Sequence, residues 1–128
     1  MQTTASQRLL SMSLPANASV AERGDAVQLH VRRNELEVVV TVPKTVREWF
    51  VEATDATTGA RTEDWCDYDG YDSTSSERLD QDMAEDVALF VQRLLSSDLR
   101  FEAEGRAKLL WKLSDSWQQA VPLDASAV

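Results

Sequence analysis

VQLHVRRNELEVVVTV, residues 27–42, holds the first regular pattern in the chain, and its reading decides the fold class. Val27, Leu29 and Val31 alternate with Gln28, His30 and Arg32; Leu36, Val38, Val40 and Val42 alternate with Glu35, Glu37, Val39 and Thr41. A period of two sends alternate side chains to opposite faces of a pleated strand, so the stretch reads as two half-buried strands. A turn at Arg33-Asn34 would set Val31 opposite Leu36, Leu29 opposite Val38 and Val27 opposite Val40, with Arg32 meeting Glu35 and His30 meeting Glu37. Apolar and charged cross-strand pairs agree in that register, which supports an antiparallel hairpin better than either pattern alone.

The same reasoning extends along the chain. A turn at Lys44-Thr45 predicts a third strand with Trp49 against Val40, Val51 against Val38 and Ala53 against Leu36. The stretch TDATTGAR, with Gly59, supplies a further hairpin turn, after which Arg61 to Tyr68 reads as a fourth strand. Next, in residues 73–95, Leu79, Met83, Val87, Phe90, Val91 and Leu94 recur at spacings of three and four, the signature of an amphipathic helix. Thr74 and Glu77 have the spacing of a capping box at its start.

In the C-terminal third, Leu99, Phe101 and Ala103 alternate with Arg100 and Glu102. A loop at Glu104-Gly105-Arg106 would pair Phe101 with Leu109, Leu99 with Trp111 and Glu102 with Lys108. A helix through KLLWKLSDSWQQAV is the competing reading, but it leaves Trp111 on a polar face beside Lys108 and Asp115, so the hairpin is preferred. Trp117 to Val121 then adds a short last strand. The expected fold is α+β: an antiparallel four-strand meander packed by one amphipathic helix, with a C-terminal strand hairpin. Residues 1–24, rich in Ser, Thr and Ala, read as a mobile N-terminal segment, residues 25–122 as a single α+β domain, and residues 123–128 as a frayed tail.

The chain of 128 residues is long enough for one domain with its own core. QRLLSMSL is interrupted by serines and followed by Pro15, which argues against a signal peptide or a membrane span, and the single cysteine, Cys66, fits a cytoplasmic protein. The net charge of −9 is unevenly distributed. Between Glu52 and Asp86 stand twelve acids and two bases, a balance of −10, which leaves the rest of the chain near neutral. Such a field disfavours direct nucleic-acid binding and favours a basic protein partner.

No pattern with a reaction chemistry survives inspection, so the expectation is no catalytic residue, no metal and no cofactor. In EDWCDYDGYD, residues 63–72, Asp67, Asp69 and Asp72 are hard oxygen ligands, but Gly70 falls at the fourth position of a calcium loop and Arg78 at the twelfth, where glycine at six and glutamate at twelve are needed. One cysteine and one histidine cannot close a zinc site. Cys66 and His30 fall on opposite faces of the predicted sheet, which excludes a thiolate and base dyad. Glu37 and Glu52 would be neighbouring carboxylates, yet a chain this short offers little depth for a sugar cleft.

What remains is a surface. On the face away from the core, Val39, Phe50 and Trp65 fall together among Glu52, Glu63, Asp67 and Asp69, and Asp64, Tyr71 and Asp72, close by in sequence, complete the expected partner-binding set. An apolar aromatic centre with an acidic rim predicts a site for a basic protein partner, as an inhibitor, an immunity protein or a chaperone would have. A nucleic-acid charge mimic and a small calcium-binding or carboxylate-based hydrolase are the alternatives from other classes.

Overall fold

The computed structural model describes residues 4–68 and 75–122. The chain runs α1 (Ala5–Ser11), β1 (Ala18–Arg23), β2 (Ala26–Arg33), β3 (Leu36–Pro43), β4 (Glu48–Asp55), β5 (Arg61–Asp67), α2 (Ser76–Ser96), β6 (Leu99–Glu102), β7 (Lys108–Leu113) and β8 (Ser116–Gln119). Strands β1 to β5 form one antiparallel meander in sequence order, and β6 to β8 form a second, smaller sheet. The fold is therefore α+β with an antiparallel sheet and one main helix. No helix among the described residues is long and apolar enough to cross a membrane.

The sheet has one strand more than the four expected, and it comes from the segment read as a mobile N-terminus. Ala18–Arg23 pairs with β2 through Val20 opposite Leu29, and Gly24 turns the chain at φ 61. Ahead of it, α1 begins with a capping box: Thr4 Oγ1 accepts from the Gln7 N–H, and the Gln7 side chain accepts from the Thr4 N–H. Its Leu9 is fully buried, and the helix lies against α2. The tail read as frayed, residues 123–128, lies outside the described residues.

Both expected hairpin registers slip by two residues. Across β2 and β3, Val31 pairs with Val38, Leu29 with Val40 and Arg32 with Glu37; across β3 and β4, Val40 pairs with Val51 and Val38 with Ala53. The first turn is Asn34-Glu35 because its leading residue takes a left-handed φ of 56, which asparagine tolerates far better than arginine does. Arg33 thereby stays in β2, where its guanidinium donates to the carbonyls of Leu94 and Ser97 at the C-terminal end of α2, the negative end of the helix dipole. The second hairpin spends four residues, 44–47, on its loop. A slip of two leaves every side chain on its original face, so the predicted core survives.

That core fills the face formed by Val27, Leu29, Val31, Leu36, Val38, Val40, Val42, Trp49, Val51, Ala53 and Cys66. Against it α2 lays Met83, Val87, Phe90, Val91 and Leu94 of the predicted stripe, all buried, while Leu79 at its start is only partly so. The N-cap is Ser75, whose hydroxyl accepts from the Arg78 N–H, rather than Thr74, which lies outside the described residues. The C-terminal hairpin has the expected register, Leu99 opposite Trp111, Phe101 opposite Leu109 and Glu102 opposite Lys108, and β8 adds to it. Leu109, Trp111 and Ala120 of the small sheet join the same core. Phe90 stands between the layers, 5.3 Å from the Trp49 ring and 5.1 Å from that of Trp111.

A polar chain threads this interior. The Trp49 indole donates to the Tyr68 hydroxyl at 3.1 Å, which donates to Asp86 at 2.7 Å. Burial and the neighbouring Asp86 carboxylate push the Tyr68 hydroxyl far above the ordinary tyrosine value. A folded-state pKa above the unfolded one means that the native state keeps a proton the unfolded state gives up, so stability is complete below about pH 10 and falls as pH rises beyond it. We expect the urea midpoint of the native chain to drop between about pH 9.5 and 11, and Tyr68→Phe, less stable at neutral pH, to show a shallower drop. Equal slopes in the two proteins would contradict the assignment.

Candidate partner-binding face

Alternation along five strands defines the sheet's outer face, and the pairing arranges it in rows. One row reads Ala21, Gln28, Thr41, Phe50, Trp65 from β1 to β5, without a charge. The next reads Ser19, His30, Val39, Glu52, Glu63. A third holds Arg32, Glu37, Thr54 and Arg61, and on the other side of the uncharged row lie Arg23, Ala26 and Pro43, with Glu48 opposite Asp67. None of these side chains is buried, whereas the inner face is almost continuously so. Both α2 and the small sheet pack on the inner side, so no described element covers the outer one.

On this face the predicted rings are uncovered. Trp65 is 62% exposed and lies directly opposite the half-buried Phe50, while Val39 lies diagonal to Phe50. Glu52 and Glu63 face each other in the adjoining row, so an acid pair borders an aromatic pair over a shallow depression of about 260 Å3. Like charges directly opposite repel, and Arg61 relieves this: its Nη2 lies 2.9 Å from Glu52 and also contacts Glu63. All three side chains are roughly half exposed, so these ion pairs contribute little to stability and yield readily to a competing cation.

The structure separates other members of the predicted rim. Asp67 stays on the outer face, opposite Glu48. Asp64 turns inward beside Val51, because its place in the alternation is that of Cys66; burial raises its pKa above the ordinary carboxylate value, and the Arg106 guanidinium partly offsets this. Asp69, Tyr71 and Asp72 lie outside the described residues. The acidic segment is split as well. Glu77, Asp80, Asp82 and Glu85 ride on α2 across the sheet from Trp65, with Asp80 paired to Arg47 at 2.9 Å and Asp82 to Arg78 at 3.1 Å.

The side chains considered for a reaction lie on opposite faces of the sheet or beside an arginine. Cys66 is buried on the inner face opposite Trp49, and His30 lies on the outer face between Ser19 and Val39. Glu37 pairs with Arg32 at 3.5 Å, and Glu52 with Arg61, so the neighbouring carboxylates expected from the sequence are each bound to an arginine. Sequence reading missed the opposite half of the same face, where Arg23, His30 and Arg32 line an open depression of about 540 Å3 with Asn17 and Ser19. The signal for it was absent, since β1 carries only Val20 as a large apolar residue. No family model matches the sequence, and neither a curated protein nor a solved structure matches it.

Exposure separates tryptophans that hold the fold from those that do not. Trp49→Ala should cost about 3–5 kcal/mol in urea unfolding, the loss typical of a buried aromatic, whereas Trp65→Ala should change stability by no more than about 0.5 kcal/mol. Comparable losses in the two variants would show that Trp65 is part of the core.

Proposed function

We propose that this chain is a non-catalytic binding module that captures a basic protein partner on the β4–β5 half of its outer sheet face. The carrying observation is the 62% exposure of Trp65 beside Phe50, with Glu52 and Glu63 in the adjoining row. An indole left largely in water on a regular strand adds little to the fold beyond its cross-strand contact with Phe50, while burial of such a ring at an interface contributes strongly to affinity. Glu48, Glu52, Glu63 and Asp67 steer a cationic surface towards it, and Arg61, held only by exposed ion pairs, is displaced or shared when the partner's cations arrive. Direct nucleic-acid binding on this half is disfavoured by the same carboxylates. Occlusion of the partner's basic surface is the mechanism, in the manner of an inhibitor, an immunity protein or a dedicated chaperone, and a chain with one buried cysteine suits the reducing cytoplasm.

The test is affinity capture from host lysate with three baits: the native chain, Trp65→Ala, and Glu52→Gln with Glu63→Gln. The reading expects one predominant basic protein on the native bait and its loss from the Trp65→Ala bait. It should also be eluted from the double-glutamine bait at lower salt than from the native one. Retention of the same protein by Trp65→Ala, with release by salt alone, would instead favour a charge mimic that works through carboxylates without an aromatic anchor.

A further inference from the structure

The outer face is complementary to itself in both size and charge. Its uncharged row runs from small to large, Ala21 and Gln28 at the β1 side against Phe50 and Trp65 at the β5 side, with Thr41 in the middle. Its charges are graded across the strands as well: Arg23 and Arg32 lie on β1 and β2, whereas on β4 and β5 Glu48, Glu52, Glu63 and Asp67 outnumber Arg61. We infer that two copies of the chain pack outer face to outer face about a two-fold axis lying along β3, so that in the unpartnered protein the Trp65 half of each copy is covered by the β1–β2 half of the other.

That axis keeps the rows and exchanges the strands, placing β5 of one copy over β1 of the other. Trp65 of one copy then rests on Ala21 and the adjoining depression of about 540 Å3, and Phe50 rests on Gln28. In the flanking rows Asp67 meets Arg23, and Glu52 meets the half-buried His30. Val39 and Thr41 meet their own counterparts at the centre. Glu37 also meets its counterpart, but each has Arg32 3.5 Å away to offset the repulsion. Five strands about 4.8 Å apart and six residues rising about 3.3 Å each give a face that buries on the order of 1,000 Å2 from the two copies, the lower limit for a specific interface. The dimer is therefore weak enough to open for another occupant. It uses the face assigned above but not the basic partner proposed for it, so the two ideas stand or fall separately.

The test is sedimentation equilibrium from about 1 to 300 µM, the range suited to a marginal interface. The native chain should pass from monomer to dimer over this range. Trp65→Ala should weaken association at least about tenfold, as loss of an aromatic anchor does, and Ala21→Trp should do the same by setting two indoles in one place. The double variant exchanges the large and small sites and should recover association to within about threefold of the native chain, a departure from additivity that only contact between the two positions produces. Circular dichroism melts of all four proteins establish that each is folded. A native chain that stays monomeric, a dimer indifferent to Trp65→Ala, or a double variant no better than the singles would each overturn the inference. A monomeric chain that still captures a basic protein through Trp65 would leave the partner-binding reading intact, and a dimer that captures nothing would do the reverse.

Discussion

Phe90 holds the layers of this protein together. Its ring meets Trp49 of the five-strand sheet edge-on at 5.3 Å and Trp111 of the small sheet at 5.1 Å, so one fully buried side chain on α2 ties both sheets to the helix. Each aromatic contact of this kind adds about 0.5–1.5 kcal/mol beyond the burial of its area. The consequence reaches further than stability. With α2 and the small sheet both drawn to the inner face, and α1 set against α2, no described element is left to cover the outer one. An antiparallel sheet can keep one face in water, but it normally lines that face with polar residues. Here it carries Phe50 and Trp65.

The same assembly explains the polar interior. Asp86 falls among the apolar residues of α2 and is only 7% exposed, a position that a carboxylate tolerates only when hydrogen-bonded. The Tyr68 hydroxyl meets it, and the Trp49 indole satisfies the hydroxyl in turn. Position by position, then, Trp49 serves the sheet twice, through its ring against Phe90 and through its nitrogen towards α2. Arg33 makes a comparable tie at the other end of α2, where helix carbonyls without intrahelical partners accept its guanidinium.

Much of the architecture was legible because burial writes itself into the period of the sequence. The alternation of β2 and β3, the stripe of α2 and the pairing of Leu99 with Trp111 could all be read directly. Faces were legible even where registers were not, since a slip of two residues preserves the face; what the pattern could not show was that Asn34 would take the left-handed conformation and free Arg33 to reach α2. β1 escaped because an edge strand of Ala, Ser and Glu around a single Val20 has almost no alternation. α1 left a signal, Thr4 and Gln7 at capping-box spacing ahead of Leu9, that seven residues of weak periodicity obscured. At the candidate site, alternation put Phe50, Trp65, Glu52 and Glu63 on one face, and the pairing of β4 with β5 makes them neighbours. Asp64 did not fit, being adjacent to those residues in the chain but on the other side of the sheet, and Arg61 entered only through the pairing of β4 with β5.

The account rests on a division of the tryptophans between a closed inner face and an open outer one. Hydroxyl-radical footprinting at submicromolar chain concentration, where no weak self-association persists, reads that division residue by residue through mass spectrometry. Trp65 should be oxidised fastest, Trp117, at 37% exposure and stacked under Arg100, more slowly, and Trp49 and Trp111 hardly at all while the chain is folded. Protection of Trp65 to the level of Trp49 would show that the outer face is closed, and the binding role assigned to it would be lost.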